Sequence, residues 1–147
     1  MKKVIYESKL AKLLINNCTT IMLCGFVFTQ FPKEKTPQEV INHECTHARQ
    51  WIELTVAAGI ILLAMVLILG ISAWWLLLSG VVFYVWYLLE TFVRIFTSKP
   101  EPNRTRLKVA YRNVSFEQEA RLAEKDNNYL ENSQYFANLK FLFKNKS

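Results

Sequence analysis

The stretch LTVAAGIILLAMVLILGISAWWLLLSGVVFYVWYLL, residues 54–89, contains no Asp, Glu, Lys or Arg. As one helix it would extend about 54 Å, whereas the hydrocarbon core of a bilayer is about 30 Å thick. Gly70, Ile71 and Ser72 offer a break near its middle. We therefore predict a hairpin of two membrane-spanning helices, at about residues 54–69 and 73–96.

The alternative is that this stretch forms the buried hairpin of a soluble protein. The whole chain has 147 residues, and a soluble domain of that size could hardly enclose so much apolar surface. The length also fits only one domain. We therefore predict a single, mainly α-helical, membrane-embedded domain over residues 1–147.

Basic residues are in excess on both sides of the apolar stretch. Residues 1–53 contain seven Lys and Arg against five Asp and Glu, and residues 94–147 contain eleven against six. Because cytoplasmic segments of membrane proteins carry such an excess, both flanks are predicted to lie in the cytoplasm. Attraction to anionic lipid accounts for the net charge of +6. Membrane lipid is therefore an expected partner, and no motif indicates nucleic acid.

Three segments before the apolar stretch have recognisable patterns. Residues 4–15 alternate Lys with Leu and Ile, which predicts an amphipathic helix. Residues 19–30, TTIMLCGFVFTQ, are rich in β-branched and aromatic residues and predict a strand or hairpin, although a third membrane span is an alternative. In FPKEKTPQEV, residues 31–40, Thr36 and Pro37 predict the capped start of a helix.

That helix would contain HECTH, residues 43–47, with the only two histidines of the chain. Side chains four residues apart share one face of a helix, so both imidazoles can bind one ion. In an H-E-x-x-H helix, His43 and His47 would bind Zn²⁺, and Glu44 would be the general base for a zinc-activated water. Shuffled sequences of this composition contain the pattern on the order of once in a thousand. The pattern therefore predicts a zinc site.

A catalytic zinc usually has three protein ligands, and because the chain has no third histidine, a carboxylate must complete the set. Glu53 lies about 80° from the histidine face on an ideal helix, and Glu90 is expected to be interfacial. Glu117 and Glu119 flank the apolar stripe of a predicted helix that starts at Ser115, and periodicity does not separate them. Because two spans return the chain to the side of the membrane on which it started, Glu117 and Glu119 can reach the histidines.

The segment SFEQEARLAEKD, residues 115–126, resembles the third-ligand helix of glutamate-type zinc peptidases. It is most similar to the membrane-bound enzymes related to CAAX-prenyl endopeptidases and heat-shock membrane proteases. Their E-x-x-A-D motif begins with a zinc-binding glutamate, so the resemblance implies that Glu117 is the third ligand and that Ala120 takes the alanine place. Arg121 stands where those enzymes have an aspartate that supports a histidine ligand.

Three further segments, HECTHARQW, FYVWYLLE and AYRNVSFEQEA, are similar to a group of small bacterial membrane proteins that carry H-E-x-x-H. This likeness covers the chain from residue 20 to about residue 131. It implies a zincin-like helical domain in the bacterial inner membrane, and the basic flanks predict that the active site is on the cytoplasmic side.

The expected function is hydrolysis of a peptide or protein substrate by a zinc metalloendopeptidase. Its ligands would be His43, His47 and Glu117. One alternative is a non-enzymatic membrane protein with a structural metal, and another is a membrane interaction protein in which HECTH is only a polar helix face. Contact with lipid phosphates explains Arg112 as well as a catalytic role would, so Arg112 is left out of the predicted site.

Overall fold

The computed structural model describes residues 4–14 and 19–143. The strands are β1 (Val4–Ile5), β2 (Thr20–Leu23) and β3 (Phe26–Thr29). The α-helices are α1 (Lys9–Leu14), α2 (Gln38–Leu69), α3 (Val82–Thr97), α4 (Arg106–Asn113), α5 (Ser115–Ala123) and α6 (Tyr129–Asn132). Short 3-10 helices cover Lys33–Lys35, Ala73–Val81 and Ala137–Phe141. The predicted mainly helical class, with a hairpin before the histidine-bearing helix, is confirmed.

The chain divides into two compact units. The first comprises Met1–Arg49 and Glu119–Ala137, and the second comprises Gln50–Gln118 and Asn138–Ser147. Helices α2 and α5 each contribute residues to both units. That the whole chain acts as one domain stays a prediction.

The first unit contains a small sheet in the order β1-β3-β2. Strands β2 and β3 pair antiparallel. They are joined by Cys24 and Gly25, whose φ values of 49° and 78° are the positive values that a two-residue hairpin turn requires. Residues 19–30 therefore form the predicted hairpin, and not a third span. Strand β1 pairs parallel with β3.

The helix predicted over residues 4–15 is shorter than expected, and residue 15 lies outside the described residues. Val4 and Ile5 are in a strand instead, because they pair with β3. The helix starts only after Ser8, whose hydroxyl accepts a hydrogen bond from the Ala11 N–H at 3.4 Å. The cap of this helix therefore fixes where it begins.

Helix α2 runs without interruption from Gln38 to Leu69. It joins the HECTH segment to the first predicted span in one helix. It ends at Gly70, whose φ of 65° lies in the left-handed region that a glycine adopts most easily after a helix. The break predicted at residues 70–72 is confirmed.

The start of α2 differs from the prediction by one residue. The Pro37 carbonyl accepts the first helical hydrogen bond, from the Ile41 N–H at 3.3 Å. The Thr36 hydroxyl, which was expected to cap the helix, donates to the Pro32 carbonyl at 3.0 Å. Thr36 therefore stabilises the preceding 3-10 turn.

In the second unit, the second apolar segment consists of the 3-10 helix Ala73–Val81 followed by α3. Nine residues extend about 18 Å as a 3-10 helix but about 13 Å as an α-helix, so this segment is longer than predicted. Within the described residues, Gln38–Leu69 and Ala73–Thr97 are long and apolar enough to cross a membrane. Only 6% and 11% of their most apolar 18-residue windows are buried, so their apolar side chains are on the surface, as lipid contact requires.

The two apolar segments contact each other in the second unit. The Trp51 indole N–H donates to the Gly80 carbonyl at 2.9 Å. A Cβ added at Gly59 would lie 3.9 Å from the Ser79 Cβ, which shows how closely the backbones approach. The predicted helical hairpin is therefore present, and its insertion into a membrane remains a proposal.

Glu90 is buried on α3 in the same unit. Its carboxylate accepts hydrogen bonds from the Ser115 N–H at 2.8 Å and the Ser115 hydroxyl at 2.7 Å. Arg94 donates to it at 3.2 Å and also to the Leu142 carbonyl at 2.7 Å. The carboxylate is therefore enclosed by protein, where it satisfies the first N–H group of α5, and the expected position of Glu90 at the membrane interface stays a prediction.

Candidate metal centre

His43 and His47 direct their Nε2 atoms towards each other from successive turns of α2. The two Nε2 atoms are 3.1 Å apart, and the rings are nearly perpendicular, with centroids 4.8 Å apart. Two nitrogen ligands of a tetrahedral zinc, each about 2.0–2.1 Å from the ion, are about 3.3 Å apart. The separation therefore fits two ligands of one ion.

Glu124 fixes the orientation of the His43 ring. Its Oε1 lies 2.7 Å from the His43 Nδ1. When Nδ1–H donates to this carboxylate, Nε2 keeps its lone pair and remains available to a metal. Histidines that bind metals commonly have such a carboxylate partner. The contact also confirms that the chain after the second apolar segment returns to the histidines.

Arg121 occupies the place where the zinc peptidases that this segment resembles have an aspartate supporting a histidine ligand. Glu124 supplies the carboxylate three residues later, close to the same face of the helix. The Glu124 N–H donates to the Ala120 carbonyl at 3.2 Å, so the helical hydrogen-bond pattern continues to this residue. Spacing along the helix was therefore the signal that could have identified Glu124.

Other polar contacts in the first unit hold residues 119–130 against the start of α2. The Asn42 side-chain amide donates to the Asn127 Oδ1 at 2.7 Å. The Arg49 guanidinium donates to the Leu130 carbonyl at 3.2 Å and to the Glu119 carboxylate at 2.9 Å. These contacts join segments about eighty residues apart in the chain. They hold the short segment from Asn127 to Leu130 against α2.

Glu119 was an alternative third ligand, and its contacts indicate a different role. Its side chain is fully buried and paired with Arg49. The Tyr129 hydroxyl also donates to it, at 3.4 Å. A carboxylate that neutralises a largely buried guanidinium is part of the packing of this unit.

Glu117 lies in the first turn of α5, where only 1% of its surface is exposed. The Tyr87 hydroxyl donates to the Glu117 Oε1 at 2.9 Å. The Tyr87 ring stacks on the Phe116 ring, with centroids 5.9 Å apart. Gln50 of α2 donates to the Phe116 carbonyl at 3.2 Å. These contacts fix the backbone and the carboxylate of this turn, and no local pattern had indicated Tyr87 or Gln50.

His43 and His47 lie in the first unit, and Glu117 lies in the second. Two imidazoles and one carboxylate are the ligand types of zinc in several peptidases. By residue type, these three side chains could therefore hold a metal ion.

The other predicted residues have defined places. Glu44 is half-buried beside His43 on α2. Glu53 is buried farther along the same helix, and Glu90 is engaged by Arg94 and Ser115.

Comparison with known proteins found no family model, curated protein or solved structure that matches this chain.

Proposed function

We propose that this chain is a membrane-bound, zinc-dependent metallopeptidase. His43, His47 and Glu117 would hold the zinc ion, and Glu44 would be the general base. The observation that carries the proposal is the convergence of the two Nε2 atoms at 3.1 Å, with the His43 ring oriented by Glu124.

The chemistry requires a proton carrier next to the ligands. Zinc, when bound, would polarise the scissile carbonyl and lower the pKa of a water molecule. Glu44 then takes a proton from the attacking water and delivers it to the leaving amine. Its position next to His43 in the H-E-x-x-H segment suits that role.

Two further side chains keep the ligands in place. Glu124 holds the His43 ring through Nδ1, and the Tyr87 hydroxyl holds one oxygen of Glu117. Because 99% of the Glu117 surface is buried, binding of a cation would also offset the cost of burying its negative charge.

The substrate would be a peptide or protein in an extended conformation. Strand β2 is at an edge of the sheet, and an extended peptide can add to such an edge through main-chain hydrogen bonds. The two apolar helices would anchor the enzyme in the bacterial inner membrane. The basic flanks favour a cytoplasmic site.

The proposal is tested with the full chain reconstituted in lipid nanodiscs and loaded with zinc. Zinc content is measured by elemental mass spectrometry, and cleavage is measured with a peptide library. Glu44→Gln is expected to keep its zinc and to cleave at least about 100-fold more slowly, because the proton carrier is lost. Glu39→Gln removes the same charge from an exposed position on the same helix and is expected to leave both measurements unchanged.

Full cleavage activity in Glu44→Gln would remove Glu44 from the proposed role. Absence of zinc from the wild-type protein after loading would reject the site itself.

The second candidate is a structural metal that fastens the last helices to α2. The contacts of Asn42, Arg49 and His43 with residues 119–130 favour it, because they already tie these segments together. In that case, removal of zinc by a chelator would unfold the protein, and no peptide in the library would be cleaved. Cleavage that stops on chelation while the fold persists would support the peptidase.

A further inference from the structure

Helix α4 has an amphipathic surface that the proposed peptidase chemistry does not use. A cavity of about 440 Å³ is lined by Arg104, Leu107, Lys108, Tyr111 and Arg112. Leu107, Lys108, Tyr111 and Arg112 recur at the spacing of one helix face, and Arg104 lies just before the helix begins. The opposite face is buried in the second unit through Val109, Ala110 and Asn113.

The helix is attached to the end of the second apolar segment. The Asn113 side chain donates to the Ser98 hydroxyl at 3.1 Å, immediately after α3 ends at Thr97. Charged residues reappear along α3 only at Glu90 and Arg94. In a membrane, this part of α3 is where hydrocarbon gives way to headgroups. The cavity therefore lies beside the expected membrane surface.

The cations of the cavity are incompletely neutralised. Arg104 pairs with Glu101 at 2.6 Å. Within the described part of the chain, the side chains of Lys108 and Arg112 have no acidic partner. Like charges four residues apart on a helix repel each other. An anion between Lys108 and Arg112 would remove that repulsion.

Apolar surface lies beside these cations. Leu107 is 60% exposed and Tyr111 is 42% exposed. A free phosphate would use only the cations, whereas a phospholipid offers a phosphate together with the first methylene groups of its acyl chains. Leucine and tyrosine at the level of the headgroups are typical of such contacts.

We propose that this face of α4 binds the headgroup of an anionic phospholipid from the surrounding membrane. Lys108 and Arg112 contact the phosphate, with the planar guanidinium of Arg112 able to bind two oxygens. Leu107 contacts the upper part of the acyl chains. This surface is independent of zinc and of Glu44.

The test uses the full chain in detergent with added phosphatidylglycerol and phosphatidylcholine, and native mass spectrometry measures the lipids that remain bound. The variant Lys108→Gln/Arg112→Gln is expected to retain roughly tenfold less phosphatidylglycerol. The matched control Lys125→Gln/Lys140→Gln removes two exposed charges elsewhere and is expected to behave as the wild type. Retention of phosphatidylcholine stays the same in all three proteins.

Equal loss of phosphatidylglycerol in both double variants would overturn the proposal, because general charge attraction would explain it. Displacement of the lipid by millimolar inorganic phosphate would also overturn it in favour of a free-anion site. Leu107→Asn, which keeps every charge, is a second variant in case the first does not fold. It is expected to retain several-fold less phosphatidylglycerol, and wild-type retention would contradict the assignment.

Discussion

The two halves of α2 differ in the side chains that they bury and expose. From Gln38 to Glu53 the buried residues are mostly polar, and they include Asn42, Thr46, His47, Gln50 and Glu53. From Leu54 to Leu69 the large apolar side chains are exposed, including Ile60, Ile61, Leu67, Ile68 and Leu69. The distribution of polar and apolar side chains therefore changes along one continuous helix, because its first half packs against protein and its second half is suited to lipid.

The comparison shows what each half needs from the rest of the chain. A buried polar group requires a partner, and Thr46, for example, donates to the Asn42 carbonyl at 2.8 Å. Gln50 and Arg49 find their partners about seventy residues later in the sequence. The apolar half needs only an internally bonded backbone, which any helix provides. Specific contacts are therefore concentrated in the histidine-bearing half.

The largest expected effect comes from breaking a polar contact of the first half. Arg49→Ala leaves the buried Glu119 carboxylate without its guanidinium, so we expect a loss of about 3–5 kcal/mol in the free energy of unfolding. Thermal and denaturant unfolding in detergent measure it. Arg104→Ala breaks an exposed ion pair and is expected to cost less than about 1 kcal/mol.

The double variant Arg49→Met/Glu119→Leu tests whether the lost stability comes from an unpaired buried charge or from lost packing. It removes both charges and is expected to recover most of the lost stability. If Arg49→Ala costs no more than Arg104→Ala, the polar half does not depend on this pair.

A charge placed in the second half gives the next largest effect. Ile61 is 62% exposed in the middle of the apolar stretch, and Ile61→Lys is expected to disfavour membrane insertion by about 2.5–3.5 kcal/mol. The fraction of protein that is integrated into membranes measures this cost. Ile52→Lys, nine positions earlier, is expected to insert normally, since its side chain can reach the interface. Equal insertion of the two variants would show that α2 is not a membrane span.

The smallest effect concerns the support of the metal ligands. Glu124→Gln weakens the hydrogen-bond acceptor at the His43 Nδ1, so zinc affinity is expected to fall about tenfold while the fold persists. Competition with a fluorescent chelator measures the affinity. Glu131→Gln, an exposed change in α6, is the control. A Glu124→Gln protein with unchanged affinity would indicate that Glu124 orients no ligand.

Periodicity and composition were sufficient for much of the architecture. The apolar stretch predicted both long helices and the break at Gly70, and the β-branched segment predicted the hairpin of β2 and β3. These are local features, because each depends on side chains only a few residues apart. Predictions that depended on distant partners were less accurate. The contact by which Glu90 caps α5 through Ser115, for example, was not predicted.

The candidate site also combines residues that local spacing identifies with residues that only distant contacts identify. His43 and His47 could be identified from their spacing alone, since four residues make one turn. Glu117 was predicted as the third ligand only from a resemblance, because periodicity did not distinguish it from Glu119. The supporting residues Glu124 and Tyr87 were not identified, since neither belongs to a motif.

The sequence by itself determined the two apolar helices, the break between them and the pair of imidazoles on one helix face, because helical and strand periodicity are properties of neighbouring residues. The tertiary structure decided which glutamate is paired with Arg49 and which one supports His43. Those choices depend on how segments about seventy to eighty residues apart pack together, and no local pattern encodes that packing.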